Sequence, residues 1–124
     1  PATLPPMNAE LPLRRTEELT LSLGVWEGPL DLLLNLARAQ KVDLAQISIL
    51  QLVEQYLEFI ADARALKLEI AADYLVMAAW LAYLKSRLLI PETGKGDEPT
   101  GTELAEVLAF RLQRLQAMRD AASK

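Results

Sequence analysis

The 124-residue sequence contains no cysteine and no histidine. Disulfides, thiolate nucleophiles, zinc sites of the Cys/His type and imidazole acid–base chemistry are therefore excluded. The lack of cysteine fits a reducing compartment. A basic balance is also missing: the net charge is −4, which argues against the basic patch that nucleic-acid binding requires. The basic groups nearest to clustering, Arg14-Arg15 and Lys85/Arg87, read as solvated charges. No charged start followed by an apolar run marks a secretory signal. The longest unbroken apolar run, Tyr74 to Leu84, falls well short of the roughly 20 residues a bilayer requires. A cytoplasmic protein with no membrane association is expected.

Catalytic patterns are missing too. Gly94 and Gly96 lack the Lys-Ser/Thr of a phosphate-binding loop. Ser22, Ser48, Ser86 and Ser123 have no histidine to activate them. Glu69 and Asp73 could form a carboxylate pair, but the start of a helix favours acids anyway, and a small bundle offers little room for a cleft. The expectation is a protein that is not an enzyme and has no cofactor and no metal.

What is present is helix. Residues 1–18, with Pro1, Pro5, Pro6 and Pro12, predict a disordered tail. Leu19 to Val25 alternates apolar and polar, the period of a strand. Such a strand can lie across the helices or add to a partner's sheet edge; the first is expected. Gly28-Pro29-Leu30-Asp31 starts a helix, with proline at its first position and an acid in its first turn. Leu30, Leu33, Leu34 and Ala37 form its apolar face, and Lys41-Val42-Asp43 breaks the pattern. Asp43–Ile47 predicts a turn of helix or 3₁₀. Ser48-Ile49-Leu50-Gln51 reads as a capping box opening a second helix with the stripe Ile49, Val53, Tyr56, Ile60 and the wet side Gln51, Glu54, Glu58, Asp62. A third helix is predicted from about Ile70 to Ile90, ended by Pro91. Pro91 to Thr102 reads as a linker, and Thr102 as the cap of a fourth helix reaching about Ala121. Its stripe is Leu104, Leu108, Leu112 and Leu115, broadened by Val107 and Phe110. The predicted fold class is all-α: a small helical bundle of three core helices, a fourth after a flexible linker, and one short N-terminal extended strand.

The third helix carries the functional signal. From Tyr74 to Leu84 no residue is charged, whereas a helix packed on one side shows a polar face. It must be covered from more than one side, and contiguous apolar patches mark interaction surfaces. A 100° projection assigns Val76, Ala79, Trp80 and Tyr83 to the domain's own core. Tyr74, Leu75, Ala78, Leu81, Ala82, Lys85 and Leu89 form the other side. There, small residues flanked by leucine would admit a partner helix, as in a coiled coil. Alternatively, the fourth helix or the strand folds back over this side.

Two stretches carry a family resemblance. Trp26-Glu27-Gly28-Pro29-Leu30-Asp31-Leu32-Leu33-Leu34 resembles the aromatic-Glu-Gly-Pro-Leu-Asp-Leu-Leu-Leu opening motif of the bacterial segregation and condensation protein A family, with Trp26 where the family more often has phenylalanine. Asp73 to Ala79, Leu81 and Lys85-Ser86-Arg87-Leu88-Leu89-Ile90-Pro91 resemble that family's third helix and its stop. Val42-Asp43-Leu44 and Gln55-Tyr56-Leu57 are similar as well. The resemblance covers residues 19–91 well and 103–120 loosely. It implies a kleisin, the bridging subunit of an SMC complex in chromosome condensation and segregation. In that family the N-terminal helical domain binds the coiled-coil neck of an SMC ATPase head. The middle segment is wrapped by a dimer of segregation and condensation protein B, and a C-terminal winged-helix domain binds the other head. The implied organisation is a tail at 1–18, a kleisin N-terminal helical domain at 19–91, a linker at 92–102, and the start of the middle partner-binding segment at 103–124. Without the winged-helix domain, the chain is expected to be a piece that cannot bridge two heads alone.

Carried onto this chain, the resemblance implies that Tyr74, Leu75, Ala78, Leu81, Ala82, Lys85 and Leu89 meet the SMC neck, joined by the exposed side of the second helix. The protein B dimer would engage the segment after residue 91. Localisation would be cytoplasmic, at the nucleoid, with no sequence-specific nucleic-acid contact. The rival readings are a helix-turn-helix DNA-binding module, which would require exposed basic or amide side chains on a recognition helix, and a helical bundle that self-associates through its apolar face.

Overall fold

A computed structural model describes residues 28–91 and 98–123. Among them are four α-helices and one short 3₁₀ turn. The predicted strand at 19–25 and the tail at 1–18 lie outside the described residues.

Helix α1 spans Pro29–Arg38. Gly28 precedes it with φ 152° and ψ 173°, a backbone region that essentially only glycine occupies. Proline at the first position loses no useful donor. Leu32, Leu33, Leu34 and Ala37 are all buried, whereas Leu30 is only half-buried. Three consecutive leucines point around most of a helix circumference, so α1 must be enclosed on more than one side, and α2 and α4 enclose it. The 3₁₀ turn at Leu44–Gln46 follows, within the predicted 43–47 piece.

Helix α2 spans Ile49–Ala65. The Ser48 side chain caps it by accepting from the Gln51 backbone N–H at 3.1 Å. The reciprocal half of the predicted box is replaced, because the Ser48 N–H donates to the Gln40 side chain at 3.0 Å. Lys67, at φ 58°, ends α2. Its own N–H donates to the Arg64 carbonyl, and the Leu68 N–H donates to the Ala63 carbonyl, the paired bonds of a Schellman ending.

Helix α3 spans Ala72–Leu89 and stops just before Ile90-Pro91, since proline disfavours helical geometry in the residue it follows. Helix α4 spans Gly101–Ala122 and begins earlier than Thr102. The cap is Thr100. Its hydroxyl accepts from the Glu103 N–H at 3.0 Å, and the Glu103 carboxylate accepts from the Thr100 N–H at 2.9 Å. Thr-x-x-Glu is the capping-box spacing, and Thr102 has no glutamate three residues on.

All four helices feed one core. Leu52, Val53, Tyr56 and Ile60 of α2, Tyr74, Leu81 and Leu84 of α3, and Leu108 and Leu112 of α4 join the α1 leucines. Helix α4 thus packs on the bundle. Three contacts hold it there besides its leucines. Arg119 pairs with the buried Asp31. Arg38 donates from Nε to the Gln116 side-chain oxygen at 2.8 Å. Gly101 sits so close to α3 that a Cβ there would lie 2.6 Å from the Arg87 carbonyl oxygen.

Candidate protein-interaction surface

Helix α3 is where packing and sequence pattern diverge. Tyr74 (4% exposed) and Leu81 (0%) are core residues, so two of the seven residues expected to meet a partner are enclosed by the bundle itself. Ala78 and Lys85 are half-buried, while Leu75, Ala82 and Leu89 are exposed. The residues assigned to the core move the other way. Val76 is 69% exposed and Tyr83 45%, Ala79 is exposed, and only Trp80 of that set is half-buried. The boundary is rotated by about 90° around the helix, at 100° per residue.

The cause lies in the neighbours. Helices α2 and α4 both pack against α3, and Tyr74, Leu81 and Leu84 enter the core the helices share, with Trp80 packed against it. Tyr56 fixes the first of these contacts, donating from its buried hydroxyl to the Tyr74 carbonyl at 2.9 Å. Burial pushes the ionisation of both tyrosines up; for Tyr56 the neighbouring Tyr74 adds to it, and for Tyr74 the Asp31 and Asp73 carboxylates do. Both hydroxyls stay neutral and structural.

The solvent face of α3 is therefore the run Leu75, Ala79, Ala82, Ser86, Leu89. Its steps are four, three, four and three residues, the spacing of a coiled-coil seam. Val76, Tyr83 and Ile90 flank it at seven-residue steps, and all three are exposed. The centre of the seam is made of small residues, so another backbone can come close. Its rims carry charge: Lys85 pairs with Glu54 at 3.5 Å, and Arg87 with Glu98 at 3.2 Å. Both pairs are partly solvated and are each worth at most about 1 kcal/mol. A groove lined by Ile60, Arg64, Leu68 and Ile70 borders Leu75, Ala78 and Ala79 and extends the apolar surface towards the end of α2. The seam spacing was legible in the sequence; which side faced out was not.

A second exposed surface runs along α4. Val107 (53%), Phe110 (62%) and Met118 (59%) face solvent, so Val107 and Phe110 do not broaden the buried stripe as the spacing suggested. Arg111 and Arg114 are exposed between them. Among the described residues, no group of three or more acidic side chains is placed to hold a metal ion. No helix among them is long and apolar enough to cross a membrane.

Comparison with known proteins places the chain in a family. Residues 36–124, which contain α2, α3 and α4, match the family model described as Segregation and condensation protein ScpA. The chain is 43% identical over 104 residues to segregation and condensation protein A of Lactiplantibacillus plantarum, covering 77% of this chain and 41% of that relative. It is 36% identical over 129 aligned positions to the protein of the same name from Myxococcus xanthus, covering 96% and 45%. Against the Coxiella burnetii protein it is 42% identical over 106 residues, covering 86% and 40%. The chain spans less than half the length of these curated relatives. On this match, and on the all-helical bundle that carries it, the chain belongs to the segregation and condensation protein A family.

Proposed function

We propose that this chain is the neck-binding module of a kleisin, and that the α3 seam docks on the coiled coil of an SMC ATPase just above its head. The observation that carries the reading is the exposed seam Leu75, Ala79, Ala82, Ser86, Leu89, flanked by the exposed Val76 and Tyr83, on a helix whose other side is buried in the core. Heptad spacing is what a coiled-coil partner reads. An exposed apolar strip of this length on a folded domain is a liability unless something covers it. The module has no catalytic role; ATP hydrolysis belongs to the partner, and the site of action is the nucleoid in the cytoplasm. The basic and apolar α4 face, with Val107, Phe110, Arg111 and Met118, is the surface for the protein B dimer, in keeping with a middle segment that begins near residue 103.

Binding of the chain to a purified SMC head-plus-neck fragment tests the reading. Leu75→Glu, Tyr83→Glu and Leu89→Glu change exposed residues, so their helicity should match the parent. Each is expected to weaken neck binding by tenfold or more, the scale of about 1.4 kcal/mol per decade. A folded parent that fails to bind the neck sinks the proposal. Full binding by all three variants would remove the seam from it.

A further inference from the structure

The groove beside the start of α3 has apolar walls from three places: Ile60 of α2, Leu68 and Ile70 of the link after α2, and Leu75, Ala78 and Ala79 of α3. Its volume is about 580 Å³, on the scale of a ligand pocket. Among the described residues that line it, only Arg64 is charged. We propose that Arg64 is the specificity-determining residue of the docking surface. The groove takes a large apolar side chain from a helix of the SMC neck, and the Arg64 guanidinium holds a carboxylate one turn away on that same helix. This inference deepens the neck-binding reading and rests on it.

The way α2 ends builds the groove. Lys67, at φ 58°, turns the chain back, and the bond from the Leu68 N–H to the Ala63 carbonyl ties Leu68 to the end of α2. Leu68 and Ile70 thereby become walls, and both are half-buried. Ala78 and Ala79 leave the facing wall without bulk, so an incoming side chain has room. Leu75 and Ala79 belong to the seam and to the groove alike, so a helix lying along the seam passes over its mouth. Helices dock in grooves through apolar anchors spaced by turns. Arg64 supplies the charge complementarity. It is exposed, and among the described residues it makes no ion pair, unlike Lys85, Arg87 and Arg119. Its place in the last turn of α2 suits the helix dipole, a role that lysine would serve equally. A guanidinium beside an apolar wall does more: it binds a carboxylate through two parallel bonds while its stem covers apolar surface. Lys67 and Glu69 are exposed nearby and do not line the groove.

Binding of the intact chain to a purified SMC head-plus-neck fragment decides it, with Leu75→Glu as the control for the seam. Arg64→Glu changes an exposed residue and should weaken binding by about tenfold or more, with helicity and melting unchanged. Arg64→Lys keeps the charge and the dipole contact without the fork, and should still lose several-fold. Ala78→Leu fills the groove outside the seam and should weaken binding while the chain stays folded. On the partner, replacing the acidic residues of the neck by lysine one at a time should reveal a single position that restores binding to Arg64→Glu. Parent-like binding by Arg64→Glu and Ala78→Leu, with Leu75→Glu still weak, overturns this inference and leaves the seam reading standing. Arg64→Lys equal to the parent, or no single neck acid that restores binding, overturns the carboxylate pairing. A folded parent that does not bind the neck removes both readings.

Discussion

At the scale of single residues, Gly101 and the tyrosine pair show how much one atom decides. Gly101 is buried, and an added Cβ would meet the Arg87 carbonyl oxygen at 2.6 Å and the Leu88 nitrogen at 2.8 Å. These are backbone atoms and cannot rotate away. Gly101→Ala should therefore push α4 off α3 at its start and cost about 1–3 kcal/mol, as overpacking does; urea denaturation measures it. The helix-propensity gain of alanine belongs to helix interiors and does not offset this at a first position. Tyr56 and Tyr74 predict an alkaline limit. In the unfolded chain both ionise near 10.0, while folding raises both. Above that pH the unfolded state binds fewer protons than the folded state. Stability from this source is full below about pH 10 and falls as pH rises past it. Tyr56→Phe should flatten that fall in thermal melts across pH 9 to 12.

At the scale of elements, the helix ends are governed locally, and the sequence shows most of them. Pro29 and Pro91 mark a start and a stop by steric rules that operate within two residues. The cap of α4 shows how such a reading fails. Thr100 and Thr102 are equally good single candidates, and only the glutamate three residues beyond Thr100 separates them. Thr100→Ala should cost about 1 kcal/mol, whereas Thr102→Ala, exposed and inside the helix, should be near neutral; denaturant midpoints of the two variants check the assignment. Helix α3 failed for a different reason. A helix that is apolar on nearly every side has no hydrophobic contrast to orient it, and a 100° projection by itself puts Val76 and Tyr83 inside. The bundle instead buries Tyr74 and Leu81, which join the core shared by all four helices.

At the scale of the whole molecule, α4 is part of the bundle. Leu108 and Leu112 are essentially unexposed, and each such leucine contributes about 1.5–3 kcal/mol when fully buried. Arg119 additionally neutralises Asp31 beside the start of α1. A chain cut after Pro91 should lose about 3–6 kcal/mol from those two leucines alone, visible as a lower and broader thermal transition. An unchanged transition would return α4 to the status of an appended segment. Because α4 covers only one flank of α3, the bundle is complete in its core and still leaves the seam open.

Composition and local pattern by themselves determined the helical class, the four helices among the described residues, most of their ends, and the absence of cysteine and histidine chemistry. Each of these depends on residue identity or on contacts within about four positions in sequence. Tertiary structure alone decided which arc of α3 is buried, that Val107 and Phe110 face out, and that Asp31 finds Arg119. Those outcomes turn on which helix lies against which. For a nearly uniform apolar helix that choice depends on the shapes of its neighbours, which no window along the sequence contains.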